Sequence, residues 1–196
     1  GRGRKAALSF SRRGSAGVQV DVFQSTVGRR VIGERLVARF KNRKRGFTWN
    51  GRANRPGRRV RDGFLFVRFK TGAGRGEARR VPLRRVGGRL SRRPGFQRRD
   101  TCDLLTSYKL GRPAFGGSTG RPLGISFRMS RAGTARIRVT QGAHTVKTYS
   151  RRVRAGASTQ RLRLSARGLR RGDYRVRLVV RSGRNVTRST LLARRL

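Results

Sequence analysis

The sequence predicts an all-β protein made of two antiparallel β-sandwich domains in tandem, and three observations carry that prediction. Apolar residues alternate with arginine or another polar residue in VQVDVF (18–23), ARIRV (135–139), RLRL (161–164) and YRVRLVV (174–180). A period of two places one set of side chains on a buried sheet face and the other in water. Gly, Asn and Pro recur between these short runs, as turns do between the strands of a sandwich. The chain also repeats itself. ALSFSRRGSAGVQVDV (7–22) lies over GISFRMSRAGTARIRV (124–139) at an offset of 117, which pairs Phe10 with Phe127, Val20 with Ile137 and Val22 with Val139.

The remaining elements follow in order. GERLVARF (33–40) lies over GAHTVKTY (142–149) at an offset of 109, pairing Val37 with Val146 and Phe40 with Tyr149. GFLFVRF (63–69) lies over GDYRVRL (172–178) at the same offset, so that Gly63 meets Gly172, Val67 meets Val176 and Arg68 meets Arg177. The eight residues by which the offsets differ fall near QSTVGRRV and predict a longer turn in the first copy. Between these strands, Trp49 ends one short strand, Asn50-Gly51 turns, a polar loop runs through Pro56 and Gly57, and a return strand starts after Gly63. That arrangement puts Trp49 between two sheets. Phe64 and Phe66, alternating beside Val67 and Phe69, are expected to face the core.

TGAGRGEARR (71–80) fits a phosphate loop poorly: Gly72 and Gly74 suit G-x-G-x-x-G, but position 77 is Glu and Pro82 stands where a helix should run. A flexible turn is the expectation. The one helical signal is DTCDLLTSYKLGRP, with Asp100 as cap, Asp103 near the helix start, Gly111 as stop and Pro113 beyond it. The domain reading is therefore a first sandwich over 1–90, a linker over 91–112 that can hold a short helix, and a second sandwich over 113–196.

Composition bounds the function. Of 196 residues, 34% are hydrophobic, enough for modest cores. Lys and Arg total 53 against 7 Asp and Glu, a net charge of +46 that points toward polyanions. Six of the 53 are lysine, so the other 47 are arginine, and with 27 Gly the bias also matches GC-rich coding. The charge is even: residues 1–90 carry 26 basic and 4 acidic residues, residues 91–196 carry 27 and 3. This is not a basic arm on a neutral domain. A single cysteine, Cys102, excludes an intramolecular disulfide. No apolar run approaches the roughly 20 residues that span a bilayer, residues 1–15 lack the apolar region of a signal peptide, and GRGRKAALSF reads like the interior of a longer protein.

The inventory argues against catalysis, cofactors and metals. His144 is the one histidine and has no carboxylate near it in sequence. Cys102 sits beside Asp103, which raises rather than lowers a thiol pKa. The acids Asp21, Glu34, Asp62, Glu77, Asp100, Asp103 and Asp173 are scattered apart from the 100/103 pair, and Asn185-Val186-Thr187 fits a glycosylation sequon, a tripeptide common by chance. Basic runs occur at 41–45, 58–61 and 151–154. The first and third fall in corresponding loops of the two copies, which makes Lys41, Arg43, Lys44, Arg45, Arg151, Arg152 and Arg154 the candidate anion contacts.

The segment GERLVARFKNRKRGFTWNGRANRPGRRVRDGFLFVRF resembles the immunoglobulin-like module named after the flagellar hook-capping protein FlgD. That pattern runs through a glycine, an apolar β-stretch, Trp-Asp-Gly, a glycine-bearing loop, then Gly-x-Tyr and an alternating strand. Its counterparts here are Gly33, Leu36 to Phe40, Trp49-Asn50-Gly51, Gly57 and Gly63-Phe64-Leu65. Asn50 stands for the family's Asp and makes an equally good turn with glycine, while Leu65 stands for Tyr. The second copy keeps the tyrosine in Gly172-Asp173-Tyr174 but lacks Trp-Asp-Gly, and its opening, Gly116 to Pro122, has no acid to hold a cation. The resemblance implies a tandem immunoglobulin-like, noncatalytic spacer or adhesion module. It would belong to a secreted or cell-surface protein of high-GC bacteria, and the net charge of +46 is what points to contact with anionic wall polymers or polysaccharides. The alternative is a nonspecific nucleic-acid or polyanion binder, because arginine needs no motif to contact phosphate.

Overall fold

The computed structural model describes residues 3–11, 14–71, 78–93, 95–96, 103–154 and 158–196, with residues 78 and 79 described by backbone alone. Their secondary structure is β throughout, save one 3-10 turn at Gly117–Thr119, and the sheets are antiparallel apart from one short parallel pair. The chain divides into two compact units, Gly1–Pro94 and Gly95–Leu196.

In the first unit, the strands are β1 (Ala6–Leu8), β2 (Val18–Val27), β3 (Arg30–Arg43), β4 (Phe47–Trp49), β5 (Gly63–Thr71), β6 (Ala78–Val86) and β7 (Arg89–Arg92). They form a five-stranded sheet in the order β3-β2-β5-β6-β7 and a two-stranded sheet β1-β4. Alternation explains the core. Val18, Val20 and Val22 of β2 and Leu65 and Val67 of β5 point to one side, where they meet Leu8, Val37, Leu83, Leu90 and Trp49. Trp49 is buried, and its indole N–H donates to the Arg52 carbonyl at 2.9 Å, so the ring's polar handle is satisfied within its own turn.

Two expectations need correction here. The eight additional residues of the first copy do not lengthen the turn. The β2–β3 and β11–β12 hairpins both turn on two residues, Gly28-Arg29 and Gly142-Ala143, with the glycine at φ 53 and 59. Glycine in the first central position suits a tight hairpin turn, and the insertion lengthens the hairpin arms instead. Phe64 and Phe66 do not face the core: they lie on the opposite side of β5 from Leu65 and Val67, yet both are fully buried. The guanidiniums of Arg84 and Arg80 lie 5.8 Å from their ring centroids. β5 is a central strand covered on both sides, so alternation alone does not identify its core face.

In the second unit, β8 (Leu105–Leu110), β10 (Leu123–Met129) and β13 (Gln160–Leu164) make one sheet in the order β13-β10-β8. β11 (Gly133–Gln141), β12 (His144–Val153), β14 (Gly172–Ser182), β15 (Asn185–Arg195) and the two-residue β9 (Ala114–Phe115) make the other, ordered β12-β11-β14-β15-β9. The two sheets enclose one core that includes Leu105, Tyr108, Ile125, Phe127, Ile137, Val139, Val176 and Leu178. Tyr108 ties them together: its hydroxyl donates to the Val176 carbonyl at 2.7 Å, and burial raises its pKa above the ordinary phenol range.

The short helix expected between residues 100 and 111 is absent from the described part. Asp100 and Cys102 lie outside the described residues, but Leu105–Leu110 is strand β8, paired with β10 and burying Leu105, Tyr108 and Leu110. An open β10 edge and three buried side chains outweigh the local capping signal. Within residues 91–112, β7 runs through Arg92 in one unit and β8 belongs to the other.

Gly63 and Gly172, paired by the repeat, open β5 and β14 at φ 144 and 132, a conformation that L side chains rarely adopt. A Cβ on Gly63 would also collide with the Thr26 carbonyl oxygen. Gly63→Ala is expected to destabilise the first unit by about 3 kcal/mol. Gly57→Ala, at φ 64 with open space around it, should cost only about 1 kcal/mol. Urea unfolding of the two variants checks the difference.

Candidate anion-binding surface

Each five-stranded sheet has an outward face built from the residues that alternate with the core. In the first unit that face holds a row in direct register across four strands: Arg39, Asp21, Arg68 and Arg80. Asp21 is fully buried and accepts from Arg39 Nε and Arg68 Nη2, both at 2.7 Å, and from Gln19 at 2.9 Å. Burial pushes its carboxyl up, but the hydrogen bonds from Arg39, Arg68 and Gln19 together outweigh this and leave it below the ordinary Asp value. Arg80 pairs with Glu34 at 2.7 Å. The next row joins Phe23, Phe66 and Pro82, and Arg68 lies 4.8 Å over the Phe23 ring. Most of the positive charge on this face is thus spent internally.

The same face of the second unit is built differently. Along β11, Ala135, Ile137 and Val139 are core and Arg136 and Arg138 are exposed; along β14, Tyr174, Val176, Leu178 and Val180 are core and Arg175, Arg177 and Arg181 are exposed. Register sets Arg138 directly opposite Arg177, with Thr148 and Thr190 completing the row. The row above holds Arg136, Val179 and Arg188, and the next holds Arg152, Thr134 and Arg181. Strand geometry spaces these residues about 5 Å across strands and about 7 Å along them. Among the described residues none of these arginines forms a salt bridge. At the margin Asp173 is already taken by Arg194 at 2.8 Å. Like charges directly opposite one another destabilise a sheet, so the Arg138–Arg177 pair gains from an external anion.

Asp21 corresponds to Arg138 at the offset of 117, and Arg68 corresponds to Arg177 at 109. Where the first unit has a carboxylate between two guanidiniums, the second has a further guanidinium.

The basic residues singled out in the sequence lie elsewhere. Lys41 and Arg43 end β3, and Lys44 and Arg45 lie in the turn to β4; Arg43 stacks 4.3 Å over the Phe47 ring. Arg151 and Arg152 end β12 on opposite faces, and Arg154 follows it. β3 and β12 are edge strands, where Lys and Arg discourage pairing with other chains. Only Arg152 joins the arginine face. The residues on that face were hidden as an ordinary solvated strand surface, and the signal that finds them is that Arg138 aligns with Asp21 at the sequence offset of 117.

Other candidates contribute little chemistry. His144 is exposed at the start of β12, and no group of three potential metal ligands occurs among the described residues. Cys102 and residues 72–77 of the glycine-rich turn lie outside the described residues. Asp103 accepts from the Thr187 hydroxyl at 2.6 Å, which together with the Leu104 N–H holds its carboxyl below the ordinary value. No helix among the described residues is long and apolar enough to cross a membrane. No family model matches the chain, and no curated protein matches it.

Proposed function

We propose that the chain is a noncatalytic adhesion and spacer module, two immunoglobulin-like sandwiches in tandem from a secreted or cell-surface bacterial protein. The arginine face of its second unit binds an anionic wall polymer or polysaccharide. The observation that carries the reading is the exchange of the buried Asp21 for Arg138, which leaves facing guanidiniums without a carboxylate. Three further points support the module. Val20 pairs with Phe40 and Val22 with Val67; their repeat partners pair alike, Ile137 with Tyr149 and Val139 with Val176. The order β3-β2-β5-β6 matches β12-β11-β14-β15. Tyr174, at the start of β14, donates from its hydroxyl to the Arg170 carbonyl at 2.6 Å, the corner tie typical of immunoglobulin-type sandwiches.

The test is retention on an immobilised anionic cell-wall polymer at physiological salt. Wild type is expected to be retained. Arg138→Asp, which installs opposite Arg177 the carboxylate that the first unit has, should weaken retention at least tenfold and leave the fold intact. Arg161→Asp, an equal charge change on the outer side of the other sheet, should change it less than threefold. Equal effects of the two variants would make net charge the whole cause. Among the described residues the face offers no aromatic ring on which bases stack, so DNA of equal charge density should be bound no better; preference for DNA would favour the nucleic-acid reading.

A further inference from the structure

The exposed arginines on the outward face of the second unit follow a path. Arg175 and Arg177 are successive outward residues of β14, Arg177 stands opposite Arg138 on β11, and Arg136 is the next outward residue of β11. Arg152 of β12 lies one strand over and one row on, because Arg136 faces Ser150 and Thr134 faces Arg152. Together they make a staircase that crosses β14, β11 and β12 in one direction. With the opposed Arg138 and Arg177 counted as one site, successive sites lie about 7–8 Å apart, the two-residue repeat of a strand or the cross-strand diagonal. Thr140 and Thr148, which face Arg175 and Arg138, border the staircase with hydroxyls. Arg181 and Arg188 share the face but stand off this path, beside Val186 and Val179.

We propose that the polymer held on this face is a phosphodiester-linked polyol laid along the staircase, one phosphate shared by Arg138 and Arg177 and its neighbours at Arg175, Arg136 and Arg152. The assignment rests on the adhesion reading above and names the chemical class of its ligand. Pitch selects that class. Three backbone bonds of an extended chain span about 3.5 Å, so a three-carbon polyol phosphate, with six bonds from charge to charge, repeats at about 7 Å. An extended polyuronate ribbon turns successive carboxylates to opposite sides. Those facing one sheet then recur at twice the length of a sugar and pass over arginines on the path. The shape of the anion agrees. Asp21 shows two guanidiniums each taking one oxygen of a single anion, at 2.7 Å, and a phosphodiester offers two free oxygens to Arg138 and Arg177 in the same way. The bordering threonines match the hydroxyls of a polyol.

The probes are a synthetic glycerol-phosphate oligomer, an oligogalacturonate and an oligodeoxythymidylate of equal charge, each titrated into the full isotope-labelled chain at physiological salt. The glycerol-phosphate oligomer is expected to bind at least tenfold tighter than the oligogalacturonate and to shift the amide signals of Arg136, Arg138, Arg152, Arg175 and Arg177. Arg136→Glu should weaken it at least fivefold more than Arg188→Glu, an equal charge change on the same face. The oligodeoxythymidylate has the same six-bond repeat and should bind no tighter, since among the described residues no ring on the face takes its bases. Equal or tighter binding of the oligogalacturonate, lost in Arg138→Asp, overturns the phosphodiester assignment and leaves adhesion standing. Failure of all three polymers to bind overturns both. Tighter binding of the oligodeoxythymidylate, or equal losses in Arg136→Glu and Arg188→Glu, also overturns the assignment.

Discussion

Trp49→Ala is expected to destabilise the first unit by about 3–5 kcal/mol, the range for removing a fully buried large aromatic. The effect should be large because, among the described residues, this unit's second sheet consists of two three-residue strands, so one ring supplies much of what closes the core over Leu8, Val37, Val67 and Leu90. Trp49→Phe keeps a ring but loses the indole bond to the Arg52 carbonyl, and should cost about 1–2 kcal/mol. Amide exchange resolved by residue is the appropriate readout, because the substitution removes the chain's one tryptophan fluorophore. Protection should fall across β1, β2, β4 and β5. A loss below about 1 kcal/mol for Trp49→Ala would show that the ring is not what closes this core.

The second large effect is expected at Asp21. Asp21→Asn should destabilise the first unit by about 2–3 kcal/mol. That is below the full cost of orphaning a buried ion pair, because the Arg39 and Arg68 side chains keep 29% and 28% of their exposure and regain some hydration. The pH dependence has a defined sign. The folded carboxyl titrates below its unfolded value of 3.8, so its contribution is fully present above about pH 4–5 and is lost as pH falls through the depressed folded value. Wild-type stability of the first unit should therefore drop at acid pH, and Asp21→Asn should flatten that part of the curve. Resolving the two units by amide exchange matters, since Asp103 in the second unit is depressed as well. An unchanged acid limb in Asp21→Asn would mean that another carboxylate governs it.

The two predictions also separate what each kind of residue does. Trp49 holds a thin sandwich together, whereas Asp21 neutralises its exterior. The second unit inverts the balance: it has a fuller second sheet, closed by β8 and by the Tyr108 bond to Val176, and, among the described residues, an outward face with no carboxylate between the arginines.

Much of this was legible in the chain. Strict alternation located β2, β11, β13 and β14, the Asn-Gly and glycine turns marked their ends, and the repeat aligned positions that share sheet register. β8 was not legible, because Leu105, Tyr108 and Leu110, with an aspartate before them and a glycine after, carry as good a helical signal as a strand signal. Its identity depended on an edge offered by β10, 13 or more residues further on. The orientation of β5 was hidden for a related reason: GFLFVRF is apolar on both faces, and only its neighbours decide which side is core.

The charge of the outward sheet faces divides the same way. The sequence by itself determined that most arginines alternate with core residues and therefore lie outside, since a period of two admits no other arrangement for a half-buried strand. It also determined that the total charge is far from balanced. What only the tertiary structure decided is which outward arginines are neutralised. Asp21 meets Arg39 and Arg68 from 18 and 47 residues away, and Arg138 meets Arg177 through the same register. Charge compensation acts over a few ångströms, and in a sheet that distance is set by strand pairing rather than by separation along the chain.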